Sequence, residues 1–316
     1  GEPTNMSPSA IYKPETVVLW CHPRSTSTAW ECVLLGLKDQ FRVLHENTGE
    51  AWYYSKERVS TRFSEEECKK SGNWDRDYKN SWDDFIIPKD GLRTFNKDMA
   101  QYLFDLSLPS GSTAPSFGST PSTPNNPTLI PTSLLFPSTT SISHTFLIRH
   151  PAKAVPSYAR LCFPGSETGF EYFDPKEMGY RELRLLFDFI KEETGKIPLV
   201  VESEELLKDP EAVMGMWCDE VGIEFKKDML EWDIETREHF DKWPGFHATA
   251  ASSKGIGKHG TSEDTPSGNN TPQPDGSSSN TTASGAPKPA FTPELQKAVD
   301  DCMADYVYLQ SFARKP

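Results

Sequence analysis

The stretch VVLWCHPRSTSTAWE, Val17 to Glu31, decides the fold. Its first half is an uninterrupted apolar run, the pattern of a strand buried on both faces of a parallel sheet. The run breaks at His22-Pro23-Arg24, passes four hydroxyl residues (Ser25, Thr26, Ser27, Thr28) and continues as STAWECVLLGLKD, with apolar residues at helical spacing. Strand, hydroxyl-rich turn, helix is the arrangement in which α/β sheets bind small anions, because N–H groups at a helix N-terminus point outward and the helix dipole favours negative charge. Arg24 adds a planar fork that can grip two oxygens of one anion. Ser and Thr also cap helices with no ligand present, so the turn alone leaves both readings open.

The rest of the chain repeats the alternation. FRVLHE (41–46), HTFLIRH (144–150) and PLVVES (198–203) read as strands. A helix is expected over AKAVPSYARL, a second over GYRELRLLFDFIKEETG ending at Gly195, and a third over DPEAVMGMWCDEVG with Pro210 in its first turn. LRTFNKDMAQYLFDL (92–106) reads as an amphipathic helix preceded by a short strand. Residues 290–316 carry a C-terminal helix with Pro293 just inside a Thr292 cap. The alternation implies a three-layer α/β/α domain spanning 1–316, with a central, mainly parallel sheet.

Two segments interrupt it. Residues 107–143 are rich in Ser, Thr and Pro, and residues 259–289 are nearly free of apolar side chains. Neither composition buries enough apolar surface to offset the entropy of ordering, so 107–143 is expected as a disordered insertion, with TLIPTSLLF able to dock locally, and 259–289 as a disordered linker.

The formal net charge of −13 argues against a nucleic-acid or anionic-polysaccharide partner, so any anion site must be local. No apolar run is long enough to span a membrane, and GEPTNMSPSA lacks the basic-then-apolar pattern of a secretion signal. The six cysteines form no CxxC pair, which suits reduced thiols in the cytoplasm and disfavours a zinc site. The histidines lack metal-ligand spacing, and no metal is expected. No Gly-Lys-Ser/Thr loop exists for Mg²⁺ and the β/γ-phosphates, which disfavours a kinase or ATPase.

A second stretch sharpens the anion reading. In TFLIRHPAKAVPSYAR, Arg149 ends a strand and Ser157 follows eight residues later inside a helix, so both can meet one phosphate from two sides. Arg-X-Pro followed by Ser at this spacing resembles the 3′-phosphate motif of the sulfotransferases, and HPRSTSTAW resembles their 5′-phosphosulfate loop. The resemblance covers roughly residues 16–106 and 144–258 and implies a P-loop, sulfotransferase-like fold. It also implies 3′-phosphoadenosine 5′-phosphosulfate as cofactor, held by Arg24, Ser25, Thr26, Ser27, Thr28, Arg149 and Ser157. SSKGIGK (252–258) is similar to the family's lysine–glycine segment, placing Lys254 and Gly255 over the 3′-phosphate. Thr26 departs from the family pattern by standing where the loop has glycine, and Ala29 displaces the loop tryptophan to position 30.

The resemblance further implies in-line transfer of a sulfuryl group to a hydroxyl of a small, partly apolar acceptor. Lys97 matches a lysine that lines the site in some members, or is a solvated helix lysine. Glu46 matches a glutamate after the second strand that acts as base in one branch. His45 is its rival, since imidazole is suited to proton abstraction near neutrality. By strand alternation His45 and Glu46 face opposite sides of the sheet if both stay in the strand. His22 is a third candidate, expected instead to bond locally. The aromatic segments 51–55 and 162–173 offer an apolar acceptor pocket, or a packed lid. Two other functions stay open: a repurposed fold catalysing cyclisation, dehydration or isomerisation, and a non-catalytic nucleotide-binding protein.

Overall fold

A computed structural model describes residues 13–232, 255 and 291–316. Five strands, β1 (Thr16–Cys21), β2 (Phe41–His45), β3 (Arg93–Met99), β4 (Ile142–Ile148) and β5 (Leu199–Glu202), form one sheet in the order β2-β3-β1-β4-β5. Every pairing is parallel, so all five strands end at the same edge. β1 sits at the centre and is buried along its whole length, as its apolar run requires. Its neighbours β3 and β4 lead away to opposite sides, which makes the end of β1 the switch point where an open α/β sheet has its crevice.

Ten α-helices among the described residues follow the strands: α1 (Ser27–Leu35), α2 (Gly49–Tyr53), α3 (Glu65–Lys70), α4 (Tyr78–Ile86), α5 (Thr132–Leu135), α6 (Pro151–Ala159), α7 (Tyr180–Thr194), α8 (Ser203–Lys208), α9 (Pro210–Val221) and α10 (Pro293–Gln310). Successive residues of β4 show why the sheet is covered on both faces. Thr145 accepts a hydrogen bond from the Trp217 indole of α9, while Phe146 packs edge-on against Phe187 of α7. α9 shares its face with α1 through the Trp30–Trp217 contact. The expected three-layer α/β/α class is therefore observed. Thr292 caps α10 as expected, and the chain after it covers the free edge of β5, where Arg314 N–H donates to the Val200 carbonyl. Among the described residues no helix is long and apolar enough to cross a membrane.

Two expectations are corrected. Residues 93–99 are strand β3, with a 3-10 turn at Ala100–Leu103, in place of the amphipathic helix expected over 92–106. The misreading has a physical source: Asn96, Lys97 and Asp98 are buried polar residues held by side-chain hydrogen bonds, so the segment lacks the apolar signature of an interior strand. The segment 107–143 is packed rather than disordered. Phe117, Leu129, Ile130 and Leu135 join the core, and Leu129 N–H donates to the Leu103 carbonyl. Asn126 ties the loop together: its amide donates to the Ile130 carbonyl at 2.8 Å and the Ser122 hydroxyl at 3.0 Å, and its carbonyl oxygen accepts from Thr128 N–H at 2.9 Å. Side-chain bonds of this kind replace the hydrophobic surface that the composition lacks. The expected linker 259–289 lies outside the described residues.

Asn126→Ala leaves several buried polar groups without partners. It should destabilise the fold by about 2–3 kcal/mol, seen as a lower urea midpoint. A midpoint equal to that of wild type would show that the segment does not contribute to the cooperative unit.

Candidate active site

The turn after β1 reverses through two non-glycine residues with left-handed backbones, Arg24 (φ 63°) and Thr26 (φ 73°). That conformation is costly for a β-branched residue and persists where surrounding contacts over-determine it. Thr26 shows those contacts, since its hydroxyl donates to the Ser25 carbonyl and lies 2.9 Å from the Ser203 hydroxyl just after β5. The Thr26 side chain is thus turned toward the residue that follows β5. No side chain caps the first turn of α1 at Thr26. Ser25 and Ser27 are buried, and their hydroxyls lack a hydrogen-bond partner of good geometry. Buried hydroxyls at the start of a helix, with the Cys21 thiol near them, suit an anionic ligand that accepts hydrogen bonds.

The second motif meets the first. Arg24 Nε donates to the Ser157 hydroxyl of α6 at 2.8 Å, across a sequence separation of 133 residues. Arg149, buried just beyond β4, donates from Nη1 to the Arg24 carbonyl at 3.0 Å. His22 joins them: its Nε2 accepts from Arg149 N–H at 2.9 Å, its Nδ1 lies 2.9 Å from the Pro23 carbonyl, and its ring stacks on Tyr180. Burial holds the His22 imidazole down to about 3, so it stays a neutral acceptor. The local bonding expected of His22 is what the structure has. Arg160, half-buried at the end of α6, is pushed down by its own burial and by the charge of Arg24, so it joins Arg24 and Arg149 as a third guanidinium group at this corner.

Beside this corner lies a cluster of buried charges. Lys97 Nζ sits 3.0 Å from Glu46 Oε2 and 3.2 Å from Glu31 Oε1. Both oxygens of Glu31 lie 2.8 Å from His45 Nδ1, and His45 Nε2 lies 3.2 Å from Glu46 Oε2. The Tyr102 hydroxyl donates to Glu46 Oε1 at 2.9 Å. Burial lowers the His45 imidazole to about 4 despite the raising influence of Glu31 and Glu46. Strand alternation would separate His45 from Glu46, yet both converge on Lys97. The reason is the left-handed backbone at Glu46 (φ 46°), which turns the chain out of β2 immediately after its N–H has bonded the Lys97 carbonyl. Lys97 is a fully buried strand residue, and its reading as a solvated helix lysine is corrected.

Glu31 and Tyr102 were not among the expected site residues. Glu31 carried a signal: an acid inside the run Trp30-Glu31-Cys32-Val33-Leu34, all of them buried, needs a buried partner. Tyr102 carried none that separates it from a core tyrosine. The aromatic segments 51–55 and 162–173 come together, with Tyr53 5.4 Å from Phe170 and 5.7 Å from Tyr102 by ring centroids. Lys254 lies outside the described residues. Gly255 forms an antiparallel bridge with Glu231, where a Cβ would come 2.5 Å from the Leu230 carbonyl oxygen.

No protein-family model matches the chain. Among curated proteins it is similar to the branched-chain-amino-acid aminotransferase-like proteins 2 and 1 of Arabidopsis thaliana. The first is 29% identical over 114 residues, 36% of this chain and 19% of that protein; the second is 30% identical over 89 residues, 28% and 14%. The chain therefore matches less than a fifth of either relative's length. Among solved structures it aligns with the sulfotransferase domain of the Synechococcus PCC 7002 olefin synthase (15% identity, 92% of this chain and 94% of that one, TM-score 0.41). It aligns also with the sulfotransferase domain of the curacin biosynthetic pathway (13%, 96% and 100%, TM-score 0.40). A third is retinol dehydratase in complex with retinol and PAP (15%, 69% and 63%, TM-score 0.37).

Lys97→Met should cost about 3–5 kcal/mol by leaving buried carboxylate charge uncompensated, whereas Lys79→Met, which breaks an exposed pair with Asp83, should cost under about 1 kcal/mol. Equal losses in chemical denaturation would contradict the buried ion-pair geometry.

Proposed function

We propose that this chain is a sulfotransferase-like enzyme that binds 3′-phosphoadenosine 5′-phosphosulfate and sulfates a hydroxyl of a small, partly apolar acceptor. One observation carries the reading: the two phosphate-type motifs, distant in sequence, meet through Arg24 and Ser157 at the carboxyl edge of a parallel sheet, beside the start of α1. In this reading Arg24, Ser25, Thr26, Ser27 and Thr28 hold the 5′-phosphate, while Arg149 and Ser157 take the 3′-phosphate. Lys254 and Gly255 would close over the latter. The bound nucleotide would supply the sulfuryl group and the leaving phosphate. Arg24 and the first N–H groups of α1 are placed to stabilise the negative charge that develops on departure. The His45–Glu46 pair takes the acceptor proton, and Lys97 fixes Glu46 for that task. The aromatic cluster of Tyr53, Phe63 and Phe170 adjoins Tyr102, whose hydroxyl is bonded to Glu46, which suits an acceptor with an apolar body.

A second reading is favoured by a specific feature. Lys97 is fully buried and engaged by two carboxylates, an arrangement better suited to placing a proton than to meeting a leaving group. It supports a repurposed site that performs a dehydration, cyclisation or isomerisation with the same acid–base cluster.

Titration with 3′-phosphoadenosine 5′-phosphate separates binding from its absence. At about 100 times its dissociation constant the ligand should stabilise the fold by roughly 2.7 kcal/mol, a rise of several degrees in melting temperature. Ser157→Ala should reduce the rise, and Arg149→Ala should abolish it. A folded wild-type protein that shows no rise would overturn the reading. Where binding is found, product analysis with labelled sulfate donor distinguishes sulfation from the second reading.

A further inference from the structure

The left-handed backbone of Glu46 (φ 46°) brings its carboxylate to Lys97 and Tyr102, and a non-glycine residue adopts that conformation only at a cost. Contacts on both sides of Glu46 hold it there. On its N-terminal side, the Glu46 N–H donates to the Lys97 carbonyl at 2.8 Å. On its C-terminal side, the next two residues are both anchored. The Asn47 amide donates to the Ser81 carbonyl of α4, and its side-chain oxygen accepts from Arg76 Nη2 at 2.9 Å. Thr48 is tied to Asp98, whose Oδ2 accepts from the Thr48 hydroxyl at 2.7 Å and from the Thr48 N–H at 3.2 Å.

Lys97 and Asp98 are successive residues of β3, so their side chains leave the sheet on opposite faces. Lys97 takes the Glu46 carboxylate on one face, and Asp98 takes Thr48 on the other. The chain therefore passes between the faces within two residues, and the left-handed Glu46 makes that passage. Asp98 is itself fixed on its strand. Its Oδ1 accepts from the Met99 N–H at 3.0 Å, and its Oδ2 accepts from the Asn96 amide at 3.2 Å.

We propose that Asp98 is a positioning residue for Glu46: through Thr48 it fixes the left-handed turn from which the Glu46 carboxylate reaches Lys97 and Tyr102. The consequence for chemistry rests on the proposed function. A base must stay within hydrogen-bond reach of the proton it takes. With an extended backbone at Glu46, strand alternation would carry the carboxylate to the face opposite His45. The ion pair with Lys97 orients the carboxylate, and Asp98 holds the backbone from which it projects.

The first arm of the test needs no ligand, so this inference and the proposed function can fail separately. Alanine is ordinarily more stabilising than glycine, but at a position held left-handed the order reverses. Glu46→Gly and Glu46→Ala lose the same carboxylate, so their difference reports the backbone. In the full-length protein Glu46→Gly should melt a few degrees above Glu46→Ala. Thr48→Val removes the hydroxyl that Asp98 holds, and in that background the glycine advantage should shrink to roughly half or less. Thr48→Ser keeps the hydroxyl and should keep the full advantage. If the double variants fail to fold, hydrogen exchange at the Gly49 amide, which donates to the Glu46 carbonyl at 2.9 Å, decides in Thr48→Val alone. It should exchange faster than in wild type. A glycine advantage that is missing in the Thr48 protein or unchanged in Thr48→Val, or unchanged Gly49 protection, would overturn the proposal.

The second arm reads the consequence for chemistry. Where adenosine 3′,5′-bisphosphate binds, Thr48→Val should keep the wild-type rise in melting temperature while turnover falls roughly tenfold or more, and Thr48→Ser should restore turnover. Wild-type turnover in Thr48→Val would contradict the positioning role. A wild-type protein that binds no nucleotide would overturn the proposed function, and the melting order would still decide whether Asp98 holds Glu46.

Discussion

The chain reversal between β1 and α1 is the constraint on which the rest depends. β1 is the central strand, so whatever follows it opens onto the crevice between β3 and β4. The reversal is made by Arg24 and Thr26 in left-handed conformations instead of by glycine, and such a turn needs contacts to hold it. Those contacts come from the ends of the other strands: Ser203 after β5 reaches Thr26, and Arg149 after β4 reaches the Arg24 carbonyl. Ser157, one helix beyond β4, reaches the Arg24 guanidinium. The residues that hold the strained turn are thus the same ones that converge basic and hydroxyl groups on it. Fold stability and an anion-binding geometry are two consequences of one arrangement.

The charged cluster is built by the same logic of strand ends. α1 starts at the turn and carries Glu31 back over β2 and β3, where His45 and Lys97 stand opposite each other in register. The left-handed residue Glu46 then brings a second carboxylate to the same ammonium. A buried group of this kind contributes little net stability compared with apolar packing. The capacity its members share is proton transfer, the role proposed for them.

The sheet was legible in the sequence wherever burial is expressed as apolar side chains. TVVLWC, HTFLIRH and PLVVES all read correctly as strands, because a parallel strand covered on both faces shows little polar face to disguise it. β3 was misread for the converse reason: Asn96, Lys97 and Asp98 are buried but polar, and Lys97 and Asp98 find partners in Glu46 and Thr48 that no local pattern reveals. The packed 107–143 segment escaped notice because side-chain bonds around Asn126 stand in for hydrophobic surface. At the site, the spacing of Arg149 and Ser157 suggested that they converge, and the structure brings both to Arg24. The convergence of His45 with Glu46 was not legible, since it turns on one backbone angle. Glu31 was readable in principle, as an acid set within a buried apolar run.

The central claim is that one corner of the sheet is built for a nucleotide bearing phosphate at both its 3′ and 5′ positions. Calorimetric titration comparing adenosine 3′,5′-bisphosphate with adenosine 5′-monophosphate tests it most directly. Charge-assisted hydrogen bonds to the 3′-phosphate are worth about 1.5–3 kcal/mol each, so the bisphosphate should bind at least roughly tenfold more tightly. Equal affinities, or binding of neither compound to the folded protein, would contradict the account.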